Sequence, residues 1–564
     1  MARNAGGVLL ALAPLGACIA AGAVHASLWL DEIQYWFYER TPALRALETN
    51  RPGSRIARYF LNYFYCDIQA LAHAIMRPFG LTLQRDPELY LRLLSMISCA
   101  AAALFVYWFV SRDETRSWWW SVAAALAVAA APLLLYYAFE ARVSAFATLG
   151  VIAYLALLAA ALAHPDPKRF LIAGAFFGIF LGHLHTWVAC LFAGLCLAAL
   201  IRFAVARQRR ELWPVAAFAV PGAITAAAEA AYITFTYPPG GHGFPLYRPQ
   251  PFTNLVARTL SAVSSTGLST PPVFSGALAL VLLIVAMALL LSDLRRSPRI
   301  IFPLAALFSL GITIAIGTEA GYLIAPRYQV PLFGALFFSL TFAASQRARI
   351  AVALFAAIEL ALVPFAIRDV SLKGNGRQIA ALITSSPRTK TAVIIQQSLR
   401  LGYPDPLHNF ALAFYLNELH PESAPMHLFE LPALRDITAQ EGVRDYFSGG
   451  AELRDWYAST PVAQWQQALR AEPWDRIWLV TPVPRISAED RQSIAFRETL
   501  AASGFVLQGA WRIPGYPMTQ VGCFIRSDGH DAAAITHLGL QRPADLGTVN
   551  KARHEDRHVA TGQR

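Results

Sequence analysis

Charge is scarce in this chain. Only 15% of its 564 residues are Asp, Glu, Lys or Arg, while 56% are hydrophobic. That balance excludes both an ordinary soluble protein and a disordered one. Cysteines are also few, and none of the six (Cys18, Cys66, Cys99, Cys190, Cys196, Cys523) forms a Cys-x-x-Cys pair. Four of them lie in apolar stretches, which argues against a metal or redox framework. Cys66 and Cys523 are the two that could meet outside a membrane. No internal repeat is visible, and there is no glycine-rich phosphate loop. The formal net charge of +11 is not gathered into one basic domain, so nucleic acid is not an expected partner.

What is present is a series of long apolar runs. Eleven are long enough to cross a bilayer: 7–26, 89–110, 118–138, 143–163, 169–186, 187–205, 212–236, 272–292, 300–317, 328–346 and 350–367. The first reads as an uncleaved helix rather than a signal peptide. Basic residues sort the connections. One set of ends holds Arg3, Arg112, Arg116, Lys168, Arg169, Arg202, Arg207, Arg209, Arg210, Arg295, Arg296, Arg299, Arg347 and Arg349. The short connections on the other side hold only Arg142, Arg248, Arg258 and Arg327. Positive charge resists translocation, so the first set is cytoplasmic and the C-terminus lies outside. The Trp118-Trp119-Trp120 run then reads as a cytoplasmic interface anchor.

The segment 27–88 is external. Within it, residues 56–80 are aromatic and apolar but broken by Arg58, Asn62, Asp67, Gln69 and His73. That pattern predicts helices lying in the membrane interface. After residue 370 the character changes to a water-soluble α/β unit, 371–530. Strands are expected at 391–397, 426–430, 475–481, 505–513 and 520–526, with helices at 376–384, 409–419, 462–470 and 488–502. The remainder, 531–564, is a polar tail expected to be disordered.

Polar residues at the external span ends are the candidate site. Asp31 and Glu32 follow the first span, two adjacent carboxylates among apolar and aromatic neighbours, costly to keep at a membrane surface without a use. Glu140 and Arg142 sit in the hairpin between spans three and four, where a local ion pair is an alternative reading. His183 and His185 lie between spans five and six, Tyr247 and Arg248 after span seven, and Glu319, Arg327 and Tyr328 between spans nine and ten. An interfacial histidine or a snorkelling arginine would explain some of these singly. Acids, bases and cations from separate loops nonetheless share one face.

Three stretches give a family resemblance: Leu30-Asp31-Glu32 after the first span, Tyr137-Ala138-Phe139-Glu140-Ala141-Arg142, and Pro326-Arg327-Tyr328-Gln329-Val330-Pro331. Glu88-Leu89-Tyr90-Leu91-Arg92-Leu93-Leu94-Ser95 adds a likeness to a second-helix entry. Over roughly 1–370 the chain resembles the GT-C superfamily of polyprenyl-phosphate-dependent glycosyltransferases. Its nearest likenesses there are lipid A aminoarabinose transferases, protein O-mannosyltransferases and rhizobial lipopolysaccharide-core glycosyltransferases. It departs from them where a His-Pro-Pro-like stretch often precedes the interfacial helix; here the sequence is Ser54-Arg55-Ile56-Ala57-Arg58-Tyr59-Phe60.

The resemblance implies transfer of a sugar from a polyprenyl phosphate to a hydroxyl of an envelope acceptor (lipopolysaccharide, lipid A, another glycan or a protein), with inversion, at the outer face of a bacterial inner membrane. Asp31 takes the place of the catalytic carboxylate, and Glu32 would orient the acceptor or tune Asp31, since adjacent carboxylates raise one another's pKa. Arg58, Arg142, Arg327 and Tyr328 would hold the donor phosphate. Glu140, His183, His185, Arg248 and Glu319 would line the pocket. No cofactor is expected, because a monophosphate leaving group held by arginines does not demand a metal; Asp31 and Glu32 could still bind a divalent cation. Two other classes fit less well. A transporter or flippase of a polyprenyl-linked sugar would put ionisable residues near the midplane in paired halves, and a non-catalytic scaffold leaves the polar loops without a purpose.

Overall fold

The structure is a computed structural model. It describes residues 2–28, 32, 63–82, 86–113, 117–185, 187–206, 212–236, 251–266, 273–320, 326–385, 390–396, 398–400, 403–405, 412, 414–416, 426–431, 462–482, 487–515 and 518–527. The chain divides into two units, Met1–Lys373 and Gly374–Arg564.

The first unit is helical: α1 (Ala2–Ala20), α2 (Tyr63–Met76), α3 (Pro87–Ser111), α4 (Trp118–Ala129), α5 (Pro132–Ala138), α6 (Val143–Ala163), α7 (Lys168–Leu184), α8 (Val188–Ala206), α9 (Leu212–Thr236), α10 (Phe252–Ser261), α11 (Val273–Leu294), α12 (Ile301–Ala320), α13 (Pro326–Ser339) and α14 (Gln346–Ser371). Each of the eleven expected spans has its helix. Among the described residues six are long and apolar enough to cross a bilayer, and α4 with α5 makes a seventh; α1, α9 and α13 are shorter apolar helices.

The third span is broken, by 65° between α4 and α5. The cause is Pro132, which lacks an N–H and pushes the preceding Ala131 out of helical geometry (φ −57°, ψ 118°). Helix α2 solves the polarity of its segment by turning inward. Gln69 Nε2 donates to the Leu91 carbonyl at 3.2 Å, and His73 lies 2.7 Å from the Tyr90 carbonyl, while Leu71 and Ile75 face outward. That is the arrangement expected of a helix lying at a membrane interface. Helices α7 and α9 touch backbone to backbone, because a Cβ on Gly178 would stand 2.8 Å from the Phe218 carbonyl oxygen.

The bundle has two chemically different ends. At one end Arg202 donates to the carbonyls of Arg295 and Arg296, the Ser345 N–H donates to Asp293, and Arg349 lies 5.9 Å from the Trp120 ring. These are the arginine-rich connections. The tryptophan run there is only partly an anchor. Trp118 and Trp119 stay exposed, whereas Trp120 is fully buried and is part of the core.

The second unit begins with α15 (Gly376–Thr384) and holds β1 (Thr391–Gln396), β2 (Ser398–Arg400), β3 (Tyr403–Asp405), β4 (Met426–Leu431), α16 (Val462–Ala471), β5 (Arg476–Pro482), α17 (Ser487–Ala502), β6 (Phe505–Ile513) and β7 (Thr519–Arg526). The sheet order is β4-β1-β5-β7-β6. Strands β4, β1 and β5 are parallel, and β7 and β6 close the sheet antiparallel. The wholly buried β1 is what a central parallel strand requires. Trp465 of α16 and Phe496 of α17 share one core cluster with Trp474, Ile394 and Ile477. The expected strands are all found, with the short β2–β3 hairpin in addition. Of the helix expected over 409–419, residues 412 and 414–416 are described and helical. Cys523 is buried as a free thiol, and the tail 531–564 lies outside the described residues.

Candidate active site

Arg92 organises the end of the bundle opposite the arginine-rich connections. It stands in the second turn of α3 with no exposed surface. Its Nε and Nη2 donate to the two carboxylate oxygens of Glu32 at 2.7 and 2.8 Å. Nη1 donates to the carbonyls of Ala26 (2.7 Å) and Val24 (3.2 Å), and Nη2 also to that of Ser27 (3.2 Å). These bonds match the five N–H donors of a guanidinium. They gather the chain that leaves α1 and fix Glu32 against α3. The Ala141 N–H adds a bond to Glu32 Oε1 at 3.0 Å, which joins the α5–α6 turn to the same point.

Burial alone would raise the Glu32 carboxyl, but Arg92's charge and hydrogen bonds, the charge of Lys373 and the Ala141 N–H together hold it below its ordinary range. Glu32 is therefore an ionised, buried anchor. The expected partner Asp31 lies outside the described residues, and the described contacts of Glu32 are with Arg92 and the Ala141 N–H. The Glu32 oxygens are turned onto a guanidinium that compensates their charge.

Glu140 follows the short helix α5 and is fully buried. Lys373 Nζ lies 3.3 Å from its Oε1, and Arg142 Nε lies 3.8 Å from its Oε2. The local ion pair expected between Glu140 and Arg142 is thus present, with Lys373 as a further member. Arg142 is the N-cap position of α6, in extended geometry, and its carbonyl accepts from Ser95 of α3 at 3.1 Å. Among the described members of this cluster, Arg142 alone has side-chain exposure, 11% against 0% for Glu32, Arg92, Glu140 and Lys373. The one member with any exposed surface is thus an arginine, the residue type suited to a phosphate.

The start of α13 lies at this same end. Ser95, near the start of α3, meets Arg142; Phe109, near the end of α3, meets Phe338, near the end of α13, with ring centroids 5.2 Å apart. Gly334 of α13 packs on Thr148 of α6, so closely that a Cβ would stand 2.5 Å from the Thr148 methyl. Thr148 is six residues past Arg142 and Gly334 seven past Arg327. At about 1.5 Å per residue, both arginines' backbones lie about 10 Å from the crossing, at one level. Gln329 locks that turn. It is buried, and its Nε2 donates to Thr259 of α10 at 3.0 Å and to Thr313 of α12 at 3.1 Å. Tyr328 is half-buried and stacks on Trp187 at 6.0 Å, in the turn that follows His183 and His185. His185 is buried in the same turn.

The remaining expected residues divide by position. Asp31, Arg58, Arg248 and Tyr247 lie outside the described residues. Glu319 ends α12 and Arg327 begins α13, but their side chains lie outside the described set. Among the described residues, no three His, Cys, Asp or Glu side chains gather to hold a metal ion. Arg92, Lys373 and Gln329 are the residues that sequence reasoning passes over. For Arg92 a signal exists: a cation within an apolar span needs a partner. For Lys373 and Gln329 nothing in the sequence distinguishes them from ordinary helix-end polar residues.

No family model matches the chain, and no curated protein matches it. Two solved structures are similar: ArnT from Cupriavidus metallidurans in the apo state, at 14% identity over 82% of this chain and 87% of that one with a TM-score of 0.46, and the same protein bound to undecaprenyl phosphate, at the same identity and coverage with a TM-score of 0.45. A likeness this distant says nothing of this chain's substrate or site residues.

Proposed function

We propose that this protein is an integral-membrane glycosyltransferase of GT-C type. It moves a sugar from a polyprenyl-phosphate donor to a hydroxyl of a cell-envelope acceptor at the external face of a bacterial inner membrane, with inversion. One observation carries the reading. Segments that the sequence resemblance marks as functional, around residues 32 and 140–142, meet in one buried charge cluster in which Arg142 alone keeps some exposed side-chain surface. The start of α13, which carries Arg327 and Tyr328, lies at the same end of the bundle.

The chemistry follows from those residue types. Asp31 accepts the proton of the acceptor hydroxyl as that oxygen attacks the anomeric carbon. General base catalysis of this kind contributes about 10²–10⁴-fold. The bond from the anomeric carbon to the phosphate oxygen breaks, and the lipid phosphate leaves with one more negative charge. Arg142, Arg327 and Arg58 receive that charge, with Tyr328 at the pocket wall. In a poorly solvated site this stabilisation lowers the barrier more than any other contribution. Glu32 and Arg92 hold the chain on which Asp31 stands. His183, His185, Glu140, Arg248 and Glu319 shape the pocket.

The test is transfer by the purified protein from a synthetic polyprenyl-phosphate sugar, with no energy source. Wild type transfers; Asp31→Asn loses turnover while still binding polyprenyl phosphate. Full turnover in Asp31→Asn removes Asp31 from the mechanism. Movement of intact donor across vesicles without transfer replaces the reading with a flippase.

A further inference from the structure

Tyr136 stands in the second turn of α5, past the break at Pro132, and is 2% exposed. Its ring is held in place twice. The Lys373 ammonium lies 3.9 Å from the ring centre and donates to the Tyr136 carbonyl at 3.2 Å, and Tyr137 packs edge-on with ring centroids 5.2 Å apart. The phenol oxygen has no hydrogen-bond partner among the described residues. A buried O–H without an acceptor costs more stability than a typical hydrogen bond contributes.

Two other buried tyrosine hydroxyls share that state, those of Tyr107 and Tyr154. Both stand in helix packing. A Cβ on Gly7 would lie 2.3 Å from the Tyr107 oxygen, and Tyr154 sits among Phe177, Phe192 and Phe218. Tyr136 differs in its surroundings. The ammonium on its ring also lies 3.3 Å from Glu140, and Glu32 and Asp369 are within electrostatic reach of the phenol. Tyr136 is therefore part of the buried charge cluster of the candidate site. The charged members there already answer one another: Glu32 is bonded to Arg92, and Glu140 lies between Lys373 and Arg142. The phenol adds a neutral donor. Its complement is a neutral oxygen, because a phosphate brought to it would set a further negative charge beside these carboxylates.

We propose that the Tyr136 hydroxyl is a substrate contact: it donates a hydrogen bond to a hydroxyl oxygen of a sugar, on the lipid-linked donor or on a glycan acceptor. This rests on the reading of the site given above as a glycosyl-transfer site. Because Lys373 and Tyr137 fix the ring, the hydroxyl is oriented before the sugar arrives, and the bond forms at little cost in side-chain entropy. The same donor discriminates among substrates, since a sugar without the matching oxygen leaves it unpaired.

The experiment compares wild type, Y136F and Y154F as purified full chains. Tyr154 is twelve residues past Arg142 on α6, about 18 Å along the helix, so Y154F removes a buried hydroxyl away from the cluster. Transfer from a synthetic polyprenyl-phosphate sugar is measured with donor and acceptor varied in turn, beside thermal unfolding in the same detergent. Y136F should unfold at or above the wild-type temperature, because it deletes an unsatisfied group, and should lose about tenfold in kcat/KM. Y154F should match wild type in transfer. A raised donor KM in Y136F places the sugar on the donor, and a raised acceptor KM places it on the acceptor. Sugar-free polyprenyl phosphate should bind Y136F and wild type alike. Full kcat/KM in Y136F overturns the proposal, as does an equal loss in Y154F. A Y136F that unfolds well below wild type, or does not fold, also overturns it, since the hydroxyl is then bonded within the protein. Weaker binding of sugar-free polyprenyl phosphate by Y136F overturns it by putting the phosphate at Tyr136. A wild type that transfers no sugar overturns the glycosyltransferase reading itself.

Discussion

The Arg92 guanidinium holds the Glu32 carboxylate through paired bonds of 2.7 and 2.8 Å, with neither side chain exposed. The pair ties the chain leaving α1 to the second turn of α3, next to the residue proposed as the base. Breaking a buried pair by removing one partner costs more than removing both, because the survivor is a charge without compensation. Arg92→Met should therefore destabilise the protein by about 3–5 kcal/mol, and Arg92→Met/Glu32→Gln by less. Thermal unfolding of the two variants in one detergent checks the order. A double variant as unstable as Arg92→Met would assign the loss to the backbone carbonyls that Arg92 also binds.

Arg327 opens α13, at the level of Arg142. As a phosphate ligand it should matter more to donor than to acceptor. Arg327→Ala is expected to raise the donor KM about tenfold or to lower kcat, and Arg327→Lys to recover part of the loss, since an ammonium lacks the guanidinium fork. Steady-state kinetics with donor varied at saturating acceptor measures this. Unchanged kinetics in Arg327→Ala would leave the residue as a snorkelling interface anchor.

Much of this architecture is legible in the sequence because its causes are local. Apolar length sets each span, and arginine placement separates the connections into two sets; of the first set, Arg202 meets the carbonyls of Arg295 and Arg296. The alternation after residue 370 gives the sheet strands because β1, β4 and β5 are short and apolar. The charge cluster is only half legible. Glu32, Glu140 and Arg142 stand out as ionisable residues beside apolar spans. Arg92, a cation inside an apolar stretch, signals that it needs a partner but not which one, because Glu32 is 60 residues away in sequence. Lys373 escapes for another reason: a lysine just past a helix end is usually solvated. Glu32's contact with α3 is not legible either, because its partner Arg92 stands 60 residues away in sequence.

Gly334 allows α13 to sit on α6, and that contact sets Arg327 level with Arg142. A Cβ at 334 would stand 2.5 Å from the Thr148 methyl, but 3.5 Å from the Thr148 Cβ. Thr148 cannot swing aside freely, since its hydroxyl donates to the Ser144 carbonyl at 2.8 Å and a β-branched side chain in a helix has few rotamers. Gly334→Ala should therefore part the two helices, at about 1–3 kcal/mol, and raise the donor KM without removing any ligand. Thr148→Ser deletes the obstructing methyl and keeps the hydroxyl. The double variant Gly334→Ala/Thr148→Ser should then regain most of the donor affinity that Gly334→Ala loses. A double variant as weak as Gly334→Ala would mean that the spacing of these helices does not set the distance between the two arginines.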